Sequence, residues 1–224
     1  MLLTLDTNNP WDATYTDESG RVIYRCEASS AFTLSNRQFK LYRAIPPTGQ
    51  MQLVGQVDYD SWSRTKSKIS LVGSGAGTEV LGGEARDLFA KTGSRWARYG
   101  RAQTFTAPDG RAYTWMFGNR SCTLHQSHAS NIGTDPSRPV VKFKQRSLRL
   151  FSKSRPAEIE VATGYEGLLD VFLLTLIFLE KVKREKERQR RNAASIGGDA
   201  GAGGDAGGGG GGGGDGGGGG GGGA

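Results

Sequence analysis

Two cysteines, Cys26 and Cys122, are too few to build a disulfide framework. Each sits in a strand-like run, where a free thiol acts as a small buried apolar group. Histidine is as scarce. His125 and His128 are the only two, and no third ligand lies near them in sequence, so no metal site is read and both are taken as surface or loop residues. Cys122 and His125 on one short strand would point to opposite faces, which removes the hydrogen bond that a thiolate nucleophile needs. Gly73-x-Gly75-x-Gly77 lacks the Gly-Lys-Ser/Thr of a phosphate loop and reads as a flexible connector. Asp58 and Asp60 share a strand face without a partner acid across a cleft and read as solvated turn residues. These absences lead to the expectation of a chain that is not an enzyme and carries no cofactor. The N-terminal stretch has no basic leader and only a very short apolar run, so no secretory signal is read. A reducing, cytoplasmic setting is the default, with a nuclear or peripheral-membrane location compatible with it.

Long apolar runs are also missing. The longest, Leu168 to Leu179, is broken only by Asp170 and Thr175. At ~1.5 Å per residue it reaches roughly 18 Å, well short of the ~30 Å hydrocarbon core of a bilayer. A tail-anchored membrane protein is therefore the least favoured reading. A helix apolar on every side must still be surrounded, and here protein has to do it. Thr163-x-x-Glu166 offers a capping box at its start. Seven cations between Lys181 and Arg191 follow its end, where they suit the helix dipole. Lys181–Glu185 and Lys183–Glu187 are four-apart pairs that read as a solvated helix surface.

What the chain has in excess is glycine, and most of the excess lies after Ser195. With no side chains to bury, residues 192–224 read as a disordered tail. Residues 1–163 carry 22 basic and 14 acidic side chains, so the positive charge belongs to the body and not to an appendage. Up to residue 162 the chain reads as about ten to twelve short strands, the last candidates being 148–152 and 157–162. One signal of helical spacing, Ala85, Leu88 and Phe89, falls in 84–91. The clearest hairpin joins 102–107 to 111–117 through Pro108-Asp109-Gly110, where Pro presets φ at the turn and Gly takes the positive φ at its exit. Many short strands at regular spacing suggest a sandwich or a barrel. A sandwich has no room for an all-apolar helix, and strands of five or six residues match that helix in height. The expected fold is α+β: an antiparallel β-barrel of about twelve strands enclosing a central hydrophobic C-terminal helix. Leu169, Phe172, Leu173, Leu176, Ile177 and Leu179 are its core side. Residues 1–19 are read as a lead-in and 20–191 as the barrel, with the helix near 164–191.

Several stretches also carry a resemblance. They are Phe105-Thr-Ala-Pro-Asp-Gly-Arg-Ala-Tyr-Thr-Trp115, Cys122-x-Leu124, Val140-x-x-Phe143, and Gly167-Leu-Leu-Asp170 with the apolar helix and Glu180-Lys-Val-Lys-Arg-Glu. Together they resemble an uncharacterised fungal domain family over roughly residues 20–190. That family in turn looks like a member of the tubby C-terminal and LURP-one superfamily, which includes the phospholipid scramblases. The resemblance implies a barrel of about twelve strands around a hydrophobic helix. It also implies that basic residues on a barrel exterior contact phosphoinositides, although no individual residue is carried over.

Two basic clusters are candidates for such contacts. Lys142, Lys144 and Arg146 share one strand face, about 7 Å apart, opposite Val141 and Phe143. Arg95, Arg98 and Arg101 are interleaved with Trp96 and Tyr99. The first could meet phosphates on a membrane or, as the less favoured partner, on nucleic acid, and the aromatics of the second could anchor it at a bilayer interface among anionic lipid head groups. The first could equally be a charged exterior strand that discourages edge pairing, and the second a cover for the barrel end. Two functions stay open: a peripheral module for anionic phospholipids, or a protein-interaction scaffold with no lipid role.

Overall fold

A computed structural model of the protein describes residues 1–29, 36–72, 79–93, 101–127, 138–146 and 155–196. Met1–Glu187 form one compact unit; the chain from Arg188 onward is a separate one. The strands in chain order are β1 (Leu2–Leu5), β2 (Ala13–Thr16), β3 (Val22–Ala28), β4 (Asn36–Ile45), β5 (Gln50–Asp60), β6 (Lys68–Val72), β7 (Glu79–Glu84), β8 (Ala90–Thr92), β9 (Ala102–Thr106), β10 (Ala112–Phe117), β11 (Ser121–Gln126), β12 (Val141–Lys144) and β13 (Ala157–Val161). A helical turn α1 (Ala85–Leu88) and the long helix α2 (Leu169–Ile196) complete the fold, with single 3₁₀ turns at Arg64–Lys66 and Glu166–Leu168.

All thirteen strands belong to one antiparallel sheet, in the order β7-β6-β5-β4-β3-β2-β1-β13-β12-β11-β10-β9-β8. Two meanders therefore run outward from the middle, where the first and last strands pair, Leu3 opposite Ile159 and Leu5 opposite Ala157. Residues 1–19, set apart above as a lead-in, supply β1 and β2 and so stand at the centre of the sheet. The strand at 148–152 that the sequence suggested lies outside the described residues.

The expected closed barrel does not form. Among the described residues, β7 and β8 are both edges, each hydrogen-bonded to one neighbour. The reason is local. Gly83 ends β7 at φ +155°, a conformation open to glycine and strained for other residues. The chain then makes α1 where a hairpin would have zipped β7 to β8. The helical turn is shorter than the sequence suggested, because Ala90–Thr92 returns to strand.

The sheet nevertheless clothes α2. Every residue from Val171 to Lys181 is buried. Three turns with no exposed side need walls on all sides. One meander provides Tyr24, whose hydroxyl donates to Asp170 Oδ1 at 2.7 Å, Arg43, which pairs with Asp170 Oδ2 at 2.7 Å, and Gly55 beneath Leu174. The other provides Trp115, whose indole N–H donates to Thr175 Oγ1 at 3.0 Å, and Tyr113, edge-on to Phe172 with ring centres 5.1 Å apart. Leu169, Phe172, Leu173, Leu176, Ile177 and Leu179 are all within 4% of full burial. At the start of the helix the capping box is not made. Glu166 accepts the Gly164 N–H at 2.8 Å and not that of Thr163, because Gly164 at φ +93° turns the chain one residue later.

Candidate functional site

The basic row read from sequence runs beside an acidic strand, and one of its three cations is paired there. Val141 and Phe143 of β12 point inward, and Lys142 and Lys144 outward. The register sets them opposite Glu160 and Glu158 of β13. Lys144 Nζ lies 2.5 Å from Glu160 Oε1, and this hydrogen bond holds the Glu160 carboxyl below its ordinary range. Arg146 lies past the strand, where its backbone N–H donates to Asn8 Oδ1 at 2.9 Å. Of the second cluster, Arg95 and Arg98 lie outside the described residues. Arg101 immediately precedes β9, and its Nη2 donates to the Lys91 carbonyl at 2.7 Å.

The charges at the helix exit also differ from the solvated surface expected of them. Glu180 is 0% exposed and Lys183 3%. One Glu180 oxygen accepts the Cys122 thiol at 3.0 Å and lies 3.5 Å from Lys183 Nζ. The other accepts the Gln145 amide and sits 3.5 Å from Arg184 Nε. Lys183 thus pairs with Glu180, three residues back. Lys181 Nζ does pair with Glu185, at 3.3 Å, but in a nearly buried position over the Trp11 ring. Burial, then the neighbouring Glu180, pushes the Cys122 thiol well above its ordinary pKa. These groups fasten the end of the buried stretch of α2 to the sheet.

Beside that end the unjoined sheet edges leave a cavity of about 180 Å³. Ala85, Phe89, Phe117, Phe178, Leu179 and Val182 give it apolar walls. Phe89 and Phe178 stack within it, ring centres 5.6 Å apart and 13° from parallel. Among the described residues, six cations line it as well, Arg64, Arg86, Lys91, Arg101, Lys183 and Lys186, and no acidic residue does. Acids outside the cavity hold three of them. Arg86 pairs with Glu84 at 3.0 Å, Lys183 with Glu180, and Arg64 stands 3.8 Å from Glu185. Among the described residues, Arg101 Nε is buried without a partner, and neither Lys91 nor Arg101 has an acidic one.

Next to Arg64 the chain presents Trp62, 87% exposed. Its loop is fixed in place. Asp60 Oδ1 accepts the N–H groups of Trp62 and Ser63 at 2.8 and 2.9 Å, and the 3₁₀ turn Arg64–Lys66 follows at once. The Ser67 carbonyl, just beyond, accepts the Ala85 N–H of α1 at 2.8 Å. An exposed indole between serines was a readable signal in Asp60-Ser-Trp-Ser-Arg64. The cavity cations come from segments too far apart in sequence for any local pattern to join them.

Residues 8–185 match the sequence profile of a family of unknown function, DUF6593. The chain belongs to that family. The DUF6593 match runs from just before β2 through the buried length of α2 and so includes the cavity lining up to Lys183. No curated protein and no solved structure matches the chain significantly. No helix among the described residues is long and apolar enough to cross a membrane. Among the same residues no three His, Cys, Asp or Glu side chains come together as metal ligands.

Proposed function

We propose that this DUF6593 chain is a non-enzymatic, intracellular module of tubby C-terminal-like kinship that settles on anionic phospholipid surfaces. The end that carries the sheet seam faces the lipid. The observation behind this reading is Trp62, held out in water on a pinned loop that continues into Arg64 and Lys66 beside the cation-lined cavity. Indole rings favour the head-group level of a bilayer, and each nearby Lys or Arg adds about 1 kcal/mol of attraction to an anionic leaflet. The Phe105–Trp115 hairpin and the closing helix resemble a fungal domain family that in turn looks like a member of the tubby C-terminal and LURP-one superfamily, and that likeness supports the same reading. Lys142 and Lys144 take a smaller part, because Glu158 and Glu160 already face them.

Co-sedimentation with vesicles tests it. Vesicles containing phosphatidylserine or a phosphoinositide should carry the protein down, phosphatidylcholine vesicles should not, and Trp62→Ala should weaken the binding. Equal binding to neutral and anionic vesicles, or none to either, overturns the reading. One observation favours the alternative of a protein-interaction scaffold. Val22, Ile45 and Met51 are each about 40% exposed around a groove near the cis Pro46-Pro47 turn. If that groove is the working surface, Ile45→Asp will release a protein partner and leave vesicle binding untouched.

A further inference from the structure

The seam cavity pairs apolar walls with unspent positive charge, and that combination selects a ligand. We propose that it binds one single-chain anionic amphiphile. The hydrocarbon chain lies against Phe89, Phe117 and Phe178, and the carboxylate or phosphate is held by Arg101 and Lys91. The inference shares its location with the membrane reading but does not need a bilayer, since such a ligand can enter from water as a monomer.

Size comes first. At about 180 Å³ the cavity is of the order of the ~150 Å³ apolar cavity that stays dry and admits benzene. It encloses a short stretch of chain and leaves the rest to extend through the open seam. The walls come next. Phe89 stacks on Phe178 and meets Phe105 edge-on, ring centres 5.9 Å apart, so the aromatic side is braced from two directions. They offer little hydrogen bonding to a sugar or a nucleobase. Charge decides the head group. Arg86 and Lys183 are spoken for by carboxylates within 3.5 Å. The Arg101 side chain is anchored through Nη2 to the Lys91 carbonyl, which leaves its buried Nε aimed at no partner among the described residues. A buried donor without an acceptor costs about 1–3 kcal/mol. The Arg101 guanidinium thus keeps its charge without a carboxylate, and an incoming anion that draws this side chain toward the seam would supply the acceptor, with Lys91 on the adjoining strand adding a second charge.

Isothermal titration of the full chain with decanoate below its micellar concentration tests this. Decyltrimethylammonium provides the same chain with the opposite charge, and acetate the same head without the chain. Decanoate should bind once per chain; decyltrimethylammonium, which loses the charge-assisted bond, and acetate, which loses the buried chain, should each bind roughly tenfold more weakly or worse. Arg101→Gln at the rim should weaken decanoate by a similar factor. Val182→Phe, which fills the cavity, should abolish binding; if it fails to fold by circular dichroism, Arg101→Gln decides alone. No binding of decanoate, equal binding of the cationic analogue, or full binding by Arg101→Gln overturns the proposal. Trp62→Ala separates the two readings, for it should lose vesicles and keep decanoate. A wild-type chain that binds vesicles but not decanoate sinks this inference alone, and the converse sinks the membrane reading alone.

Discussion

Gly55 stands where the sheet comes closest to the enclosed helix, and Gly55→Ala measures that closeness. A Cβ built there would lie 2.8 Å from Leu174 Cδ2, 3.2 Å from its Cδ1 and 2.9 Å from the Ser70 carbonyl oxygen. Leu174 is 0% exposed, so its methyls have nowhere to go. The Ser70 oxygen belongs to the neighbouring strand β6 and is fixed by the ladder, in which Ser70 faces Gln56. Overpacking of this kind costs about 1–3 kcal/mol. Removing a flexible glycine from the unfolded chain returns about 0.4–1 kcal/mol where the native backbone suits alanine. The balance is a loss of about 1–2 kcal/mol, or roughly 2–8 °C in melting temperature for a domain of this size. Urea unfolding of wild type, Gly55→Ala, Leu174→Ala and the double variant forms a cycle. Leu174→Ala alone should cost about 2–5 kcal/mol. In the double variant the clash with Leu174 is gone, so the two losses should fall short of their sum by about 0.5 kcal/mol or more, the threshold for residues in contact. An unchanged or raised stability for Gly55→Ala, or strict additivity in the cycle, would refute the placement of Leu174 against β5.

Three further outcomes follow from the same geometry. Glu180→Ala leaves Lys183 buried without its carboxylate and should cost about 3–5 kcal/mol in chemical denaturation, while Glu180→Leu combined with Lys183→Met should recover most of that loss; an equal loss in both variants would contradict the pairing. Stability should fall as pH rises above about 9. Burial raises both thiols above their ordinary 9.0 and Tyr15, Tyr24 and Tyr59 above 10.0, with Tyr113 pushed up to about 12. Below those ordinary values both states keep these protons; above them the unfolded chain releases protons that the folded chain retains, so melting temperature should drop between pH 9 and 11 and not rise. Ellman's reagent should label neither Cys26 nor Cys122 under native conditions and both in denaturant, since each is at most 2% exposed.

The helix was legible because a segment apolar on every side has only one kind of environment open to it. The strands and the hairpin at Pro108-Asp109-Gly110 were legible from alternation and turn chemistry. Closure of the sheet was not, because it depends on whether β7 and β8 meet, and four residues of helix decide that. The strand Leu2–Leu5 was missed since four residues are too few for alternation to register, and only its pairing with β13 gives it a place. Charge hid the true length of the buried helix. Glu180 and Lys183 look like surface residues until Cys122 and Gln145 are brought to them. The β12 row was seen, but a strand does not announce its neighbour, and Glu158 and Glu160 change what the row can do. The cavity draws on β8, β9, α1 and α2 together, so it exists only once the fold does.

The central claim is that a single curled sheet, left open at one seam, surrounds the apolar length of α2. Native-state hydrogen exchange at the amides of Val171–Leu179 tests it most directly. Protection there should equal the free energy of global unfolding from chemical denaturation, since nothing short of opening the sheet exposes them. Exchange at the low opening energies of a helix that frays on its own would mean that the sheet does not enclose it.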